Sequence, residues 1–266
     1  TQNTHASMSY ELVWFKRDLR WQDHAALAHA TQRGSVRCIY VIEPELWLQP
    51  DAALQHFEFV RESLQALDVE LRLQGGCIEV HTGEMPDVLN RIWQEAPFRR
   101  VHAHQETGNG FTYERDLKVD AWCKAHNVGW HEYPQFGVVR GLKNRNLWQP
   151  AWEQHMAAPL QDVGTLNFWQ PSPSAREHQH PTYASENLCA AWCSPSFMQA
   201  PSHLQHNPPL RQHGGRALAL ETLRSFLHAR SLGYRGGISS PLSAPDACSR
   251  LSAYLAWGCI SMREVV

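Results

Sequence analysis

The chain has 266 residues, 43% of them hydrophobic, with 24 Lys and Arg against 26 Asp and Glu for a formal charge of −2. That balance excludes a disordered chain, which needs low hydrophobicity and high net charge. It also excludes a polybasic nucleic-acid binder, though not a local basic patch. No run of about 18 apolar residues occurs, so no membrane-spanning helix is expected. The length fits one large or two ordinary domains. Seven widely spaced cysteines do not form a disulfide framework, and a reducing cytoplasm is the expected setting. Thr1–Ser7 is polar and precedes Met8, so it is expected to be an added leader.

The first 135 residues alternate strand and helix signals. Tyr10–Phe15 is a short apolar run that ends in charges, as a buried strand does. His24–Ala30 reads as a helix and Val36–Ile42 as a second buried strand. Ala52–Leu73 carries Leu54, Phe57, Val60, Leu64, Leu67 and Leu71 at spacings of three and four, a helical stripe. Cys77–His81, Val101–Ala103 and Val128–Tyr133 read as strands, and Met85–Trp93 and Tyr113–His126 as helices. Such alternation predicts an α/β fold, a Rossmann-like parallel five-stranded sheet with helices on both faces. Ligands of such sheets sit at the carboxyl ends of the strands. No GxGxxG follows the first strand and no GxxxxGK[ST] occurs, so dinucleotide dehydrogenases and P-loop NTPases are disfavoured.

Residues 151–210 hold eight of the sixteen prolines and are dense in Ser, Gln and His, which reads as an interdomain connector with few regular elements. Phe168, Trp169, Trp192 and Phe197 make parts of it apolar enough to lie on a domain surface. After it, Arg216–Arg230 shows one apolar helical face, ended by Gly233. A turn-rich loop follows, and Leu251–Trp257 begins another helix. The predicted domains are residues 8–135 (α/β), 136–213 (connector) and 214–266 (the start of a helical domain).

Four constellations could carry chemistry. His178-x-His180, with His155, His203 and His206, reads as a histidine-rich linker sooner than a metal site. Cys189-x₃-Cys193 lacks CxxC spacing. Asp18, Glu43 and Glu106 are loop carboxylates that could act as acid or base. The run Asp246–Gly258 places Ser249, Arg250 and Ser252 at a helix entry, where free N–H groups, hydroxyls and a guanidinium suit a phosphate or pyrophosphate. An ordinary serine N-cap would look the same.

Leu12-Val13-Trp14-Phe15-Lys16-Arg17-Asp18-Leu19-Arg20, followed by Asp23 and Ala25-Ala26-Leu27, resembles the opening of DNA photolyases and cryptochromes. Ser249-Arg250-Leu251-Ser252-Ala253-Tyr254-Leu255, with Gly258 and Ser261-x-Arg263, resembles the start of that family's flavin-binding domain. The segment from His104 to Gly108 and the run Gly137–Arg140 are similar to bacterial members.

The resemblance implies an antenna domain, a connector and an all-α FAD-binding domain. It implies light-dependent repair, in which FAD passes an electron to a cyclobutane pyrimidine dimer flipped out of DNA. It also admits a cryptochrome-type blue-light photoreceptor, or an isolated antenna-chromophore-binding module. By position, Tyr234, Ser249, Arg250, Leu251 and Ser252 would hold FAD. Cys248 stands where the family often has Thr, and Ile238 where some members carry Arg.

For the antenna, Phe15, Lys16, Arg17, Glu106 and Glu114 are candidates. The pair Tyr113-Glu114 replaces the Asn-Glu of folate binders, so folate is disfavoured and a deazaflavin or another chromophore is left open. No catalytic residue and no metal is assigned to this stretch. Family members run well beyond 266 residues, so the chain is expected to be part of a longer protein and, alone, inactive and a poor FAD binder. DNA bearing pyrimidine dimers is the expected partner, with no membrane and a monomeric state.

Overall fold

A computed structural model describes residues 9–171 and 207–266. The elements run β1 (Tyr10–Phe15), α1 (Ala25–Thr31), β2 (Val36–Ile42), α2 (Pro44–Trp47), α3 (Leu54–Leu73), β3 (Ile78–Thr82), α4 (Met85–Glu95), β4 (Phe98–His104), α5 (Gly110–Ala125), β5 (Gly129–Tyr133) and α6 (Trp148–Ala157). After the connector come α7 (Arg216–His228), α8 (Tyr234–Gly237), α9 (Ala244–Ala247), α10 (Ser252–Ala256) and α11 (Met262–Val265).

The five strands form one parallel sheet in the order β3-β2-β1-β4-β5. The expected α/β fold with a Rossmann-like parallel sheet is thus present. β1 is central and all six of its residues are buried, as are all seven of β2. Strands covered on both faces have no solvent side to alternate against, which is why they read as continuous apolar runs. α1 and α3 cover one face over Val13, Phe15, Cys38 and Tyr40. α4 and α5 cover the other over Leu12, Trp14, Ile39 and Val101. The chain leaves β1 toward β2 and β3, then returns to place β4 on the other side of β1. The C-terminal ends of β1 and β4 therefore flank the crevice where such sheets bind ligands.

Boundaries differ where packing outruns composition. β4 starts at Phe98, three residues before its apolar run, because Phe98 pairs with Tyr10 and Arg100 with Glu11 along the ladder. α7 ends at His228, and a 3₁₀ turn over Arg230–Gly233 carries the chain on to α8. α6 was not foreseen: Pro150 sits in its first turn, where a missing N–H costs nothing.

The connector is anchored at its near end. Val36 donates its N–H to the Asn167 carbonyl at 2.8 Å and Trp169 donates to Val36 at 2.9 Å. Phe168 fills the space beside Gly76, where a Cβ would fall 2.1 Å from its ring. Trp169 packs on Tyr10 at 4.8 Å and lies under the Arg37 guanidinium. His178, His180, Cys189, Trp192, Cys193, Phe197, His203 and His206 lie outside the described residues.

The helical segment docks on the outer face of α3. Phe59 joins Ala219, Leu223, Leu251, Tyr254, Cys259 and Ile260 in a third core. Glu62 takes Arg211 at 2.6 Å and the Gly214 N–H at 2.8 Å. These partners outweigh the burial that raises its carboxyl and hold it at about 2. α3 is thus buried on two faces, the sheet on one and the helical segment on the other.

Candidate functional site

The loop after β1 is the junction of the two parts. The Leu19 N–H donates to the Trp257 carbonyl at 3.0 Å, and Arg20 Nη1 to the Gly258 carbonyl at 3.0 Å. Arg263 closes on Asp23 at 2.5 Å, and Gln135 donates to the Arg17 carbonyl at 2.6 Å. Asp18-Leu19-Arg20, read above as part of the family opening, therefore holds the helical segment against the sheet.

At this junction lies a cavity of about 400 Å³. Its walls come from α2 and the start of α3 on one side and from α10 with Trp257 on the other. Trp47 and Trp257 stack with centroids 5.8 Å apart and 20° between planes. The Arg17 guanidinium lies 4.6 Å over Trp257. Asp51, His56 and Asn109 supply the polar lining, with Asn109 also capping α5 through Thr112. Burial and the nearby Arg17 charge lower the His56 pKa, which favours its uncharged ring. Two indoles, a guanidinium, a carboxylate and an amide around this volume suit a flat, polar-edged aromatic molecule.

Behind the cavity one arginine serves three carboxylates. Arg115 reaches Glu43 at 2.8 Å, Glu106 at 2.5 Å and Asp116 at 3.0 Å. Because its charge is shared, burial and the neighbouring Glu106 and Asp116 push Glu43 up to about 7. Burial also raises Glu106, but Arg115, Lys16 and Arg17 around it bring it net below its ordinary value. Lys16 sits 3.5 Å from Asp116 and 4.7 Å over Trp14. Of the five antenna candidates, Arg17 lines the cavity and Glu106 holds Arg17 at 3.1 Å. Phe15 is buried against His24, Lys16 is buried in the charged cluster, and Glu114 is exposed on α5.

Asp18, His24 and His104 form a second buried cluster with ligand-type spacing. Its protons argue against a cation. His24 Nδ1 accepts the Leu27 N–H at 3.0 Å, so the ring's proton is on Nε2, 2.9 Å from Asp18 Oδ2. His104 Nδ1 lies 2.7 Å from the same oxygen, and Asp18 Oδ1 takes the Lys16 N–H at 2.6 Å. Burial alone would raise Asp18, but the His24 and His104 contacts bring it well below its usual value. An ionised carboxylate is acceptor-only, so His104 turns an N–H to it, while His24 Nε2 lies close to the same oxygen without hydrogen-bond geometry. Burial holds His104 down at about 4.

Sequence reasoning did not single out Trp47, Asp51, His56, Asn109 or Trp257. Trp47 follows β2 at its carboxyl end and Asn109 precedes α5, so the strand-end rule could have found both.

The five residues matched to flavin binding lie on and beside the helical segment's core. Leu251 is buried in that core and Tyr234 is exposed, its ring 6.2 Å from Phe226. Arg250 is exposed with φ +61 and has no ion-pair partner among the described residues. Arg230 pins the turn before it by donating to the Cys248 and Ser249 carbonyls. Ser252 is exposed and also lines the cavity. Arg250 thus stands between Ser249 and Ser252 in sequence with its guanidinium exposed.

Residues 11–140 match the family model described as DNA photolyase. Cryptochrome-2 of Gallus gallus is 33% identical over 94% of this chain and 44% of its own length. A Synechocystis cryptochrome has a TM-score of 0.73 at 18% identity, covering 97% of this chain and 54% of that one. An Agrobacterium tumefaciens class III photolyase has a TM-score of 0.71 at 20% identity, covering 99% and 54%. A Sulfolobus tokodaii photolyase, described as holding two FAD molecules, has a TM-score of 0.69 at 20% identity, covering 96% and 53%. The chain spans about half the length of these relatives. Among the described residues no helix is long and apolar enough to cross a membrane. Carrying the photolyase domain at residues 11–140 with the start of a helical segment docked on it, the chain belongs to the DNA photolyase and cryptochrome family.

Proposed function

We propose that the full-length protein is an FAD-dependent DNA photolyase that splits cyclobutane pyrimidine dimers in blue light. The observation that carries the reading is a cavity shared by both parts of the chain, joined to a turn that presents Arg250, Ser249 and Ser252 on the helical side. Bound FAD supplies light-driven one-electron transfer.

The chain's own residues bind and orient. The Arg250 guanidinium and the Ser249 and Ser252 hydroxyls hold the diphosphate, with the Tyr234 phenol beside them. Arg230 keeps the turn in place through its carbonyls. The cavity takes a second, flat chromophore against Trp47 and Trp257. Arg17 and Asp51 select its polar edge, and the stacked indoles keep water off its face. DNA enters with the lesion flipped out, which costs less for a poorly stacked dimer than for an intact base.

The test is blue-light irradiation of the full-length flavoprotein with an oligonucleotide carrying one thymine dimer. The dimer is expected to disappear in light and persist in the dark. Persistence in light with FAD bound overturns the reading. Arg250→Ala is expected to weaken FAD retention about tenfold, the loss of one charge-assisted bond of about 1.4 kcal/mol.

The 33% identity to a cryptochrome supports a second reading, a blue-light photoreceptor signalling through a partner. Light-dependent change in protein association with no dimer loss would select it.

A further inference from the structure

Away from the cavity, on the sheet face under α1, three side chains form a continuous hydrogen-bonded row. Glu11 on β1 accepts from Arg100 Nη1 at 2.7 Å and faces His102 Nε2 at 2.8 Å. On the other side of that ring, Nδ1 lies 2.8 Å from the Tyr133 hydroxyl. The parallel register sets them diagonally on one face: Glu11 pairs with Arg100, His102 with Val13 and His131, and Tyr133 with His104, so each contact reaches across to the position two residues along. His102 is fully buried, and Tyr133 is half-buried with His29 stacked on its ring at 4.7 Å. His131 stacks on His102 at 5.3 Å.

The proton positions follow from the acceptors. Burial raises the Glu11 carboxyl, but His102 and Arg100 outweigh it and bring it below its ordinary value, so the group is ionised and can only accept. His102 therefore turns an Nε2 proton to that carboxylate, and the tautomer with one ring proton presents Nδ1 to the phenol. Burial raises the Tyr133 pKa, so the phenol keeps its proton at rest. Among the described residues, Tyr133 is the one tyrosine whose hydroxyl bonds an imidazole nitrogen.

A phenol in contact with an imidazole nitrogen, the ring backed by a carboxylate, has the parts for proton-coupled oxidation. Loss of an electron makes the phenol a very strong acid, and the acceptor for its proton is already in hydrogen-bond contact. We propose that Tyr133 is a redox-active tyrosine, donating one electron to a photo-excited oxidant of the flavin or metal-polypyridyl class while its proton passes to His102. The balance closes: the O–H bond of Tyr133 breaks, an N–H bond forms at His102 Nδ1, and the acceptor gains one electron. The products are a neutral phenoxyl radical and an imidazolium paired with the Glu11 carboxylate. Return of the electron sends the proton back. The proposal does not depend on the flavin reading, because any oxidant strong enough will draw on the same row.

The test is flash oxidation of the chain with tris-bipyridyl ruthenium and persulfate, read by transient absorption and by electron paramagnetic resonance. Exposed Tyr113 and Tyr234 also react, so the readout is the difference between wild type and Tyr133→Phe, a change that removes one hydroxyl. Wild type is expected to show a long-lived tyrosyl component that Tyr133→Phe lacks. Its formation should slow in heavy water, and about tenfold in His102→Gln, which keeps a hydrogen-bond partner but no base. Superposable traces for wild type and Tyr133→Phe overturn the proposal. So does an unchanged formation rate in a folded His102→Gln variant, or, if that variant does not fold, the absence of a solvent isotope effect in wild type.

Discussion

Gly258 lies against the backbone of the loop after β1, so closely that a Cβ on it would fall 2.3 Å from the Arg17 carbonyl oxygen and 2.5 Å from Asp18 Cα. Its φ is +67, a conformation that favours glycine. Both neighbours are backbone and neither can rotate aside. Gly258→Ala is therefore expected to destabilise by about 2–3 kcal/mol, the cost of overpacking a tight site. The loss should appear as a lower thermal midpoint, and a midpoint equal to wild type would show that the helical segment is not seated as described.

Asp23 and Arg263 clamp the same junction from opposite parts of the chain. The Asp23 carboxylate is nearly buried and also takes the Gln161 N–H at 2.7 Å. A double-mutant cycle of Asp23→Ala and Arg263→Ala is expected to give a coupling energy of about 1–3 kcal/mol in denaturant unfolding. A coupling near zero would mean that the pair is a solvated contact.

Acid stability carries two opposed contributions. His104 is held at about 4 against an ordinary 6.5. Between those values the unfolded chain binds more protons, so this group's stability is present above pH 6.5 and is lost as pH falls toward 4. The Asp18 contact acts in the same direction at still lower pH. His104→Gln should remove the upper part of this fall, on the order of 3 kcal/mol, in stability measured from pH 4 to 7.

Glu43 works the other way. Its carboxyl is raised from 4.5 to about 7, so between those values the folded state binds more protons. Stability therefore falls as pH rises from 4.5 to 7. Glu43→Gln is expected to match wild type near pH 4.5 and to exceed it by on the order of 3 kcal/mol at pH 8. The two windows overlap, so wild type should show a shallow profile from pH 5 to 6.5, and each substitution should unmask the slope of the other group. Parallel profiles for wild type and Glu43→Gln would reject the shift.

The sheet was legible because burial on both faces makes β1 and β2 mostly apolar, with Glu11 and Arg37 the buried exceptions. α3 was legible on its sheet side, where Phe57, Val60, Leu64, Leu67 and Leu71 recur helically. Its second contact face was not, because Phe59 and Ser63 break no pattern until Gly214 and Cys259 lie against them. The cavity was invisible for a related reason: Trp47 and Trp257 come from opposite ends of the chain, and only the docking of the two parts stacks them. The row from Glu11 to Tyr133 needs the strand order β1-β4-β5, which periodicity does not supply. The left-handed turn at Arg250 is set by tertiary contact rather than by its own preference.

Because Trp47 belongs to the sheet domain and Trp257 to the helical segment, filling the cavity and keeping the two parts together are one equilibrium seen from two sides. A guest at a hundred times its dissociation constant would tighten that attachment by about 2.7 kcal/mol. By the same reciprocity, the factor by which a guest favours the closed seam equals the factor by which closure tightens the guest.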